Sequence, residues 1–192
     1  MTRKLGDIAS LIAGYGFRGK MPYSAHGSVR VVQAGDIQQD GRLADESGYK
    51  RVDAQGLATA AFLEPGDVLL VSRSGPAGGF RAAVVQGRSG SLRLATSAIT
   101  IIRSISPEVD PGYLAAFLNS GPGQTALQRI ASGSSIRSLH LKELSEIPIP
   151  TPSPHVQEIT TIVVRNILLQ KDLIKRKNRL LDDLLSTITK AD

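Results

Sequence analysis

The C-terminal part of the chain carries its most regular pattern of apolar and polar positions. A proline-rich segment, IPIPTPSP, ends at Pro154, and neither Gly nor Pro follows it as far as Lys190. Ser153 can cap a helix here, and Pro154 fits a first helical turn, which needs no amide donor. Apolar residues recur in alternating steps of three and four once Gln170 and Lys177 are counted: Val163, Ile167, Ile174, Leu181, Leu184 and Ile188. We call these six residues the seam, and their spacing predicts a long, coiled-coil-like helix.

A helix of this length would run about 50 Å at about 1.5 Å per residue, longer than one edge of a compact domain. The seam therefore predicts a partner, either a second copy of this chain or another protein. Gln170 and Lys177 within the seam, with Asn166 beside it, would lower coiled-coil stability and can fix register or orientation.

The preceding residues alternate short β-rich runs with turns, and then change to a helical period. Strands are predicted over residues 29–37, 68–71, 80–85 and 94–103, and an amphipathic segment with three-residue spacing runs from Lys4 to Leu11. A helix opens at Pro111, Gly121-Pro122-Gly123 breaks it, and a second helical stretch runs to Ile130. The core residues of this part are Tyr113, Leu114, Phe117 and Leu118. We predict an α+β fold: a β-rich globular domain over residues 1–150 and one long helix over residues 151–192.

Composition restricts the class of protein. The chain has 192 residues, 41% of them hydrophobic, which is enough for one domain with a core. The absence of Cys excludes disulfides, thiolate metal sites and cysteine nucleophiles. No apolar run approaches the roughly 20 residues of a membrane span, and the first residues lack a signal-peptide pattern, so we expect a cytoplasmic protein without membrane contact.

The net charge favours a polyanionic partner. It is +6, with a sequence pI near 9.8, and neutralising phosphates releases counterions and adds affinity. Aromatic residues make up only 4% of the chain and Trp is absent, which argues against the base-stacking platforms of single-strand binders.

A glycine loop, GYGFRGK at residues 14–20, is the first candidate for nucleic-acid contact. Its glycines permit close backbone approach, and Phe17, Arg18 and Lys20 can touch bases and phosphates. Met21 follows Lys20, so the loop is not of the P-loop type. The alternative is an ordinary surface turn whose aromatics pack inward.

Two further loops carry cations and hydroxyls. The strand at residues 68–71 leads into a glycine-rich tip, residues 72–79, where Arg73 and Ser74 are placed to enter a groove; Arg81 is a weaker candidate, and simple solvation of Arg73 is the alternative. The serine loop, ASGSSIRSL at residues 131–139, offers hydroxyl donors and a cation, or else forms a capped turn. Its candidates are Ser134, Ser135 and Arg137.

Catalytic patterns are absent from the sequence. Three histidines lack the spacing of a helical metal site: His26, His140 and His155. Asp36 and Asp67 each follow Gly in a turn, where Asp caps the backbone locally. No nuclease, methyltransferase or G-x-S-x-G motif occurs. We expect a non-enzymatic protein with neither metal nor cofactor.

Seven segments, in this order, resemble the specificity subunit of type I restriction-modification systems. They cover nearly the whole chain: KLGDIASLIAGYGFRGK, VRVVQAGDIQQDG, LEPGDVLLVSRSG, ATSAITIIR, PGYLAAFLNS, SGSSIRSL and ELSEIPIPTPSPHVQEIT. The resemblance implies a target recognition domain followed by a spacer helix, with no catalytic centre. It also implies that the subunit recruits an adenine-specific DNA methyltransferase subunit and, through the complex, an ATP-driven restriction subunit.

In such subunits two units usually stand in tandem, and each reads one half of a split sequence in double-stranded DNA. This sequence contains one unit and no internal repeat. We therefore expect a half-sized subunit that forms a homodimer through its helix and reads a palindromic bipartite site. Family position puts the DNA contacts on the three loops: Phe17, Arg18 and Lys20; Arg73 and Ser74; Ser134, Ser135 and Arg137.

Two alternatives stay open. The chain can instead be a protein-interaction or inhibitor module of a phage-defence system that keeps the fold without reading DNA. A basic cluster on the helix is either a solvated face or a contact to DNA or to an acidic methyltransferase surface. That cluster comprises Lys171, Lys175, Arg176, Lys177 and Arg179.

Overall fold

The computed structural model describes residues 1–57, 59–75, 79–87 and 92–189. The strands are β1 (Thr2–Lys4), β2 (Ala9–Ala13), β3 (Val29–Val32), β4 (Lys50–Val52), β5 (Val68–Val71), β6 (Arg73–Ser74), β7 (Ala82–Val84), β8 (Leu92–Ala95), β9 (Ile99–Ser104), β10 (Arg137–Ser138) and β11 (Pro148–Pro150). The helices are α1 (Leu5–Ile8), α2 (Pro111–Asn119), α3 (Gly121–Ile130), α4 (Leu141–Ser145) and α5 (Pro154–Ile188). The predicted α+β class with a long C-terminal helix is confirmed. We call the part formed by β1 to β11 and α1 to α4 the globular part.

A four-stranded antiparallel sheet, in the order β2-β9-β5-β7, separates two hydrophobic cores. All four residues of β5 are buried because both faces of the sheet are covered. Val68 and Leu70 pack with α1 to α4, whereas Leu69 and Val71 pack with the second sheet. That second sheet has the order β4-β3-β8, with β3 and β8 parallel. The centre of the globular part is therefore a helical layer and the two larger sheets, with β5 between the two cores.

The first and last strands of the globular part lie side by side. β1 pairs antiparallel with β11, with Thr2 opposite Pro150. The amide of Thr151 donates to the carbonyl of Met1 at 2.8 Å, and that of Leu5 donates to Ile147 at 2.9 Å. These bonds bring the start of the described chain to the base of α5.

α5 packs against α2 at its first turns. Gln157 is only 1% exposed: its amide nitrogen donates to the carbonyls of Glu108 (2.9 Å) and Pro152 (3.0 Å), and its oxygen accepts from the amide of Asp110 (3.0 Å). One turn later the Thr161 hydroxyl donates to the Asp110 carboxylate at 2.6 Å. These contacts form the root of the helix.

Several local predictions are corrected. The amphipathic spacing from Lys4 to Leu11 is helical only in α1, because from Ala9 onwards the backbone pairs with β9. The run predicted as a strand over residues 29–37 ends at Val32, because Gln33 and Asp36 form a reciprocal capping box around a short 3-10 helix. The run over residues 94–103 is two strands, β8 and β9, separated by a turn.

The helix boundaries also differ in detail. The break between α2 and α3 is Ser120, whose hydroxyl accepts from the amide of Gly123, so α3 already begins at Gly121. Pro154 occupies the first turn of α5 as predicted. Ser153 is the N-cap residue, but its side chain makes no capping hydrogen bond within the described part of the chain. Over the described ranges, every helix is too short or too polar to cross a bilayer.

Candidate nucleic-acid interface

The turn between β8 and β9, Thr96 to Ala98, connects two of the predicted loops. On one side, the backbone amide of Tyr15 in the glycine loop donates to the carbonyl of Ala95 at 2.7 Å, and the carbonyl of Tyr15 accepts from the amide of Ser97 at 2.9 Å. On the other side the carbonyl of Ala98 accepts from the amides of Ser72 (2.9 Å) and Arg73 (3.3 Å). The backbone thus joins the glycine loop to the segment that carries Arg73.

The serine loop joins the same edge of the molecule. β6 and β10 pair antiparallel, with Arg73 opposite Ser138 and Ser74 opposite Arg137. The amide of Leu139 donates to the carbonyl of Ser72 at 2.9 Å and continues this connection. All three sequence-predicted loops therefore meet along one edge, which we call the loop edge. Pro76 to Gly78, in the predicted glycine-rich tip, lie outside the described residues.

Gly14 permits the close approach of the glycine loop to the turn. Its amide donates to the carbonyl of Ile99 at 3.0 Å. A Cβ at this position would lie 2.1 Å from the carbonyl oxygen of Thr96, far inside any normal contact. Only glycine fits here without displacing the backbone of the turn.

The aromatics of the glycine loop pack inward, as the ordinary-turn alternative predicted. The rings of Tyr15 and Phe17 meet edge to face, with centroids 4.8 Å apart, and both pack against the core between the two sheets. The hydroxyl of Tyr15 donates to the carbonyl of Gly56. Arg18 and Lys20 are exposed. The loop therefore combines an anchored aromatic pair with two accessible cations.

The candidates of the other two loops differ in their surroundings. Arg73 is exposed, as are Ser134 and Ser135, and Ser74 is half-buried. The guanidinium of Arg137 is already occupied: it donates to the side-chain oxygen of Gln128 and, at 2.7 Å, to its carbonyl. Arg137 thereby ties the serine loop to the last turn of α3. A DNA contact by each of these residues remains a prediction.

Sequence reasoning missed a basic pair beside the glycine loop. Lys50 and Arg51 lie exposed on the edge strand β4. The ammonium of Lys50 lies 4.4 Å from the centroid of the Tyr23 ring and donates to its hydroxyl at 3.0 Å. The carbonyl of Arg51 accepts from the amide of Ser24, which fixes the segment that follows the loop. In the sequence, two adjacent basic residues were the only signal for this pair.

The acidic turns have structural roles, as the sequence indicated. A carboxylate oxygen of Asp36 accepts from the amide of Gln33 at 2.8 Å. Asp67 accepts from the amide of Glu64 at 2.8 Å and from the Arg103 guanidinium at 2.8 and 2.9 Å. Hydrogen bonding to Asp67 raises the pKa of Arg103, whereas partial burial opposes this shift. Within the described ranges, no cluster of three or more His, Asp or Glu side chains can hold a metal ion.

The predicted seam lies on the outer side of α5. The helix turns Gln157, Thr161, Val164 and Leu168 toward the globular part. With about 3.6 residues per turn, most of the seam falls on the opposite side, whereas Ile167 also borders a groove between α5 and the globular part. All six seam residues are exposed, from 44% for Ile167 to 66% for Ile188. A second exposed apolar row runs beside it and consists of Ile162, Leu169, Leu173 and Leu180.

The basic cluster on α5 is exposed throughout. Within it, Arg176 pairs with Asp172 one turn earlier, at 2.9 Å between Nε and the carboxylate. The solvated-face interpretation fits this geometry, and contacts to DNA or to a methyltransferase remain a prediction.

The chain is similar to solved structures, although no family model and no curated protein matches it. One is a structure described as the structural basis underlying complex assembly and conformational transition of the type I R-M system. The present chain aligns with a chain of that structure over 92% of its own length, at 18% identity and a TM-score of 0.65. The HsdS subunit from Thermoanaerobacter tengcongensis aligns over 92% at 17% identity and a TM-score of 0.63. The type I restriction-modification S subunit from M. genitalium aligns over 92% at 12% identity and a TM-score of 0.57.

The chain spans 39–40% of the length of these three chains. Since the alignment includes 92% of the residues, it takes in most of the globular part and more than half of α5. Its fold is that of type I restriction-modification specificity subunits, as the sequence resemblance implied.

Proposed function

We propose that this chain is a non-catalytic, sequence-specific DNA-recognition subunit that directs a DNA adenine methyltransferase, and with it a restriction subunit, to a bipartite site. The observation that carries the proposal is the convergence of the three loops at one edge of a specificity-subunit fold. This edge presents Arg73 on backbone that is held by hydrogen bonds, and it presents Arg18 and Lys20 on a loop whose first residues, Gly14 and Tyr15, are held in the same way. Cations on fixed loops can contact phosphates and base edges with little ordering cost.

The second part of the proposal is a homodimer through α5. Most of the seam faces away from the globular part, although Ile167 also borders the groove beside α5, and the seam residues repeat at the spacing of a two-stranded coiled coil. Antiparallel pairing of two copies would put identical recognition domains at opposite ends, so that the pair reads a palindrome. α5 has 35 residues, about 50 Å, which limits the gap to about one and a half turns of DNA.

The test is co-expression with the cognate methyltransferase subunit, followed by mapping of methylated adenines. We expect one split, palindromic motif that is absent without this chain. Methylation of no defined motif would overturn DNA recognition and favour a protein-interaction or inhibitor role. A motif that is split but not palindromic would retain recognition and exclude the symmetric homodimer.

A further inference from the structure

Among the described residues, the hydrogen bonds and ion pairs between α5 and the globular part fall at two separate places. The first is the root, at Gln157 and Thr161, and the second is an ion pair between Arg42 and Asp172 at 3.2 Å. Between them lies a groove of about 1370 Å³, which is lined by Val164 and Leu168 on the helix side. The helix is therefore not packed along its whole inner face, and its direction depends on these two attachments.

The root alone leaves the direction of the helix adjustable. α5 crosses α2 at Gly112, where a Cβ would lie 2.4 Å from the Thr161 methyl group. The close approach fixes one point of the helix, whereas the bonds of Gln157 lie within one turn of that point. Contacts confined to about one turn resist translation of a rod better than its tilt.

Asp40 fixes the guanidinium of Arg42 in the orientation that contacts Asp172. Its Nε and one terminal nitrogen donate to Asp40 at 2.9 and 2.7 Å, and the same terminal nitrogen reaches Asp172. Arg42 lies at the end of a turn over residues 38–42. This turn is closed by the amide of Gln38, which donates to the Arg42 carbonyl at 2.8 Å. Partial burial acts to raise the pKa of Asp40, but hydrogen bonds from Arg42 lower it below its usual value.

Both side chains of the Arg42–Asp172 ion pair are partly buried. The side chains of Arg42 and Asp172 are 29% and 23% exposed, whereas Arg176, the other partner of Asp172, is 75% exposed. Partly buried pairs are screened less by salt than surface pairs. The contact to Arg42 is thus the less exposed of the two that Asp172 makes, although at 3.2 Å it is longer than the 2.9 Å contact to Arg176.

Distance along the helix amplifies any tilt. Asp172 lies about 16 Å from Thr161, and Ile188 about 40 Å, at about 1.5 Å per residue. A tilt that moves Asp172 by about 3 Å, enough to break the ion pair, moves Ile188 by about 7 Å. The displacement is sideways, and the same tilt of about 10° turns the recognition domain relative to α5, which changes where its loop edge meets the DNA.

We propose that the Arg42–Asp172 pair is a positioning contact that fixes the direction of α5 and so selects the gap length between the two half-sites. The proposal rests on the proposed function. It assigns spacing selectivity to a contact between helix and domain, in addition to helix length.

The experiment uses the full chain co-expressed with its methyltransferase, against a library of palindromes that differ only in gap length. For Asp172→Asn and Arg42→Gln we expect the preferred gap to lose up to about fivefold of its advantage over the neighbouring gaps, the upper end of the range for an ion pair of this exposure. Asp182→Asn makes the same substitution at an exposed position of α5 and is the matched control.

A distance measurement separates this proposal from the proposed function. The sequence has no Cys, so Ser10→Cys and Ser186→Cys place two spin labels on β2 and near the end of α5, diluted with unlabelled chain. We expect a narrow distance distribution that Asp172→Asn broadens and Asp182→Asn does not. Equal widths, or an unchanged gap profile, overturn the positioning contact. A second outcome is that Asp172→Asn broadens the distance distribution but the wild-type chain directs no methylation. That outcome overturns the proposed function and leaves the positioning contact in place.

Discussion

Arg73 lies directly opposite Ser138 in the antiparallel pair of β6 and β10, although 65 positions separate them in the sequence. This pairing holds the backbone of Arg73 while its side chain stays exposed. An arginine on a fixed backbone can bind guanine bidentately with little loss of conformational entropy.

Arg73→Ala is expected to weaken specific binding by about 1 to 3 kcal/mol if Arg73 reads a guanine. A phosphate role would instead lower affinity for all sequences and reduce the salt slope by about one. Gel-shift titration at several salt concentrations distinguishes the two. Lys4→Ala, which removes an exposed cation of β1 that pairs with Glu146 at 2.7 Å, is the control. An unchanged affinity and salt slope for Arg73→Ala would exclude both roles.

Gly14→Ala is expected to lower the free energy of unfolding by about 1 to 3 kcal/mol, because the new methyl group meets the Thr96 carbonyl. Chemical denaturation measures the loss. Gly16→Ala makes the same change in the same loop, where the nearest atom is 3.9 Å away on Ser97, and is expected to be nearly neutral. Equal losses of unfolding free energy for the two substitutions would show that the close approach to Thr96 does not require glycine at position 14.

Ile174→Asp is expected to convert a dimer into a monomer, since it places a charge in the middle of the seam. Sedimentation velocity over micromolar concentrations gives the oligomeric state. Ser186→Asp adds the same charge on the side of α5 away from the seam and is expected to leave the dimer intact. A wild-type chain that is monomeric at these concentrations would contradict self-association.

Gln157→Ala is expected to lower the free energy of unfolding by about 1 to 3 kcal/mol, because it leaves two carbonyls and one amide in partly buried contacts without their partner. Thermal unfolding followed by circular dichroism is the measurement. Glu158→Ala, at the exposed neighbouring position, is expected to change the midpoint little. A small effect of Gln157→Ala would mean that water replaces the lost hydrogen bonds.

Tyr49 makes stability sensitive to alkaline pH. Burial, followed by the nearby charges of Asp36 and Glu46, raises its pKa from 10.0 to about 12, and its hydroxyl donates to Ala44 at 2.9 Å. A raised folded-state pKa means that its contribution is complete below pH 10 and is lost as the pH rises toward 12. Tyr49→Phe should therefore show a smaller stability decrease over this window than the wild type. Parallel curves for the two proteins would argue against this assignment.

The sequence predicted the features that depend on local spacing. The seam could be recognised because a helix that is exposed along most of its length keeps an uninterrupted period. The buried strand β5 and the helix opening at Pro111 were recognised for similar reasons. Asp36 and Asp67 were correctly identified as turn residues, since an Asp after Gly bonds its own backbone neighbourhood.

Long-range contacts explain what the sequence did not predict. The engagement of Arg137 by Gln128 depends on how α3 lies against the serine loop. Ala9 becomes part of a strand because β9 lies beside it, which overrides a local helical spacing. The Arg42–Asp172 pair joins residues 130 positions apart. No local pattern specifies such pairs, because they form only after the sheets and helices have packed.

The pairing of β1 with β11 has a consequence for how the chain folds. Leu5 and Ile8 share one core with Leu144, Ile147 and Ile149, so the first segment of the globular part cannot be buried before the last is present. Contacts across about 150 residues carry a high loop-closure entropy and slow folding. At about 5 to 20 residues per second, the first strand waits on the order of ten seconds during synthesis. We expect the globular part to complete folding only once the ribosome has moved on into α5.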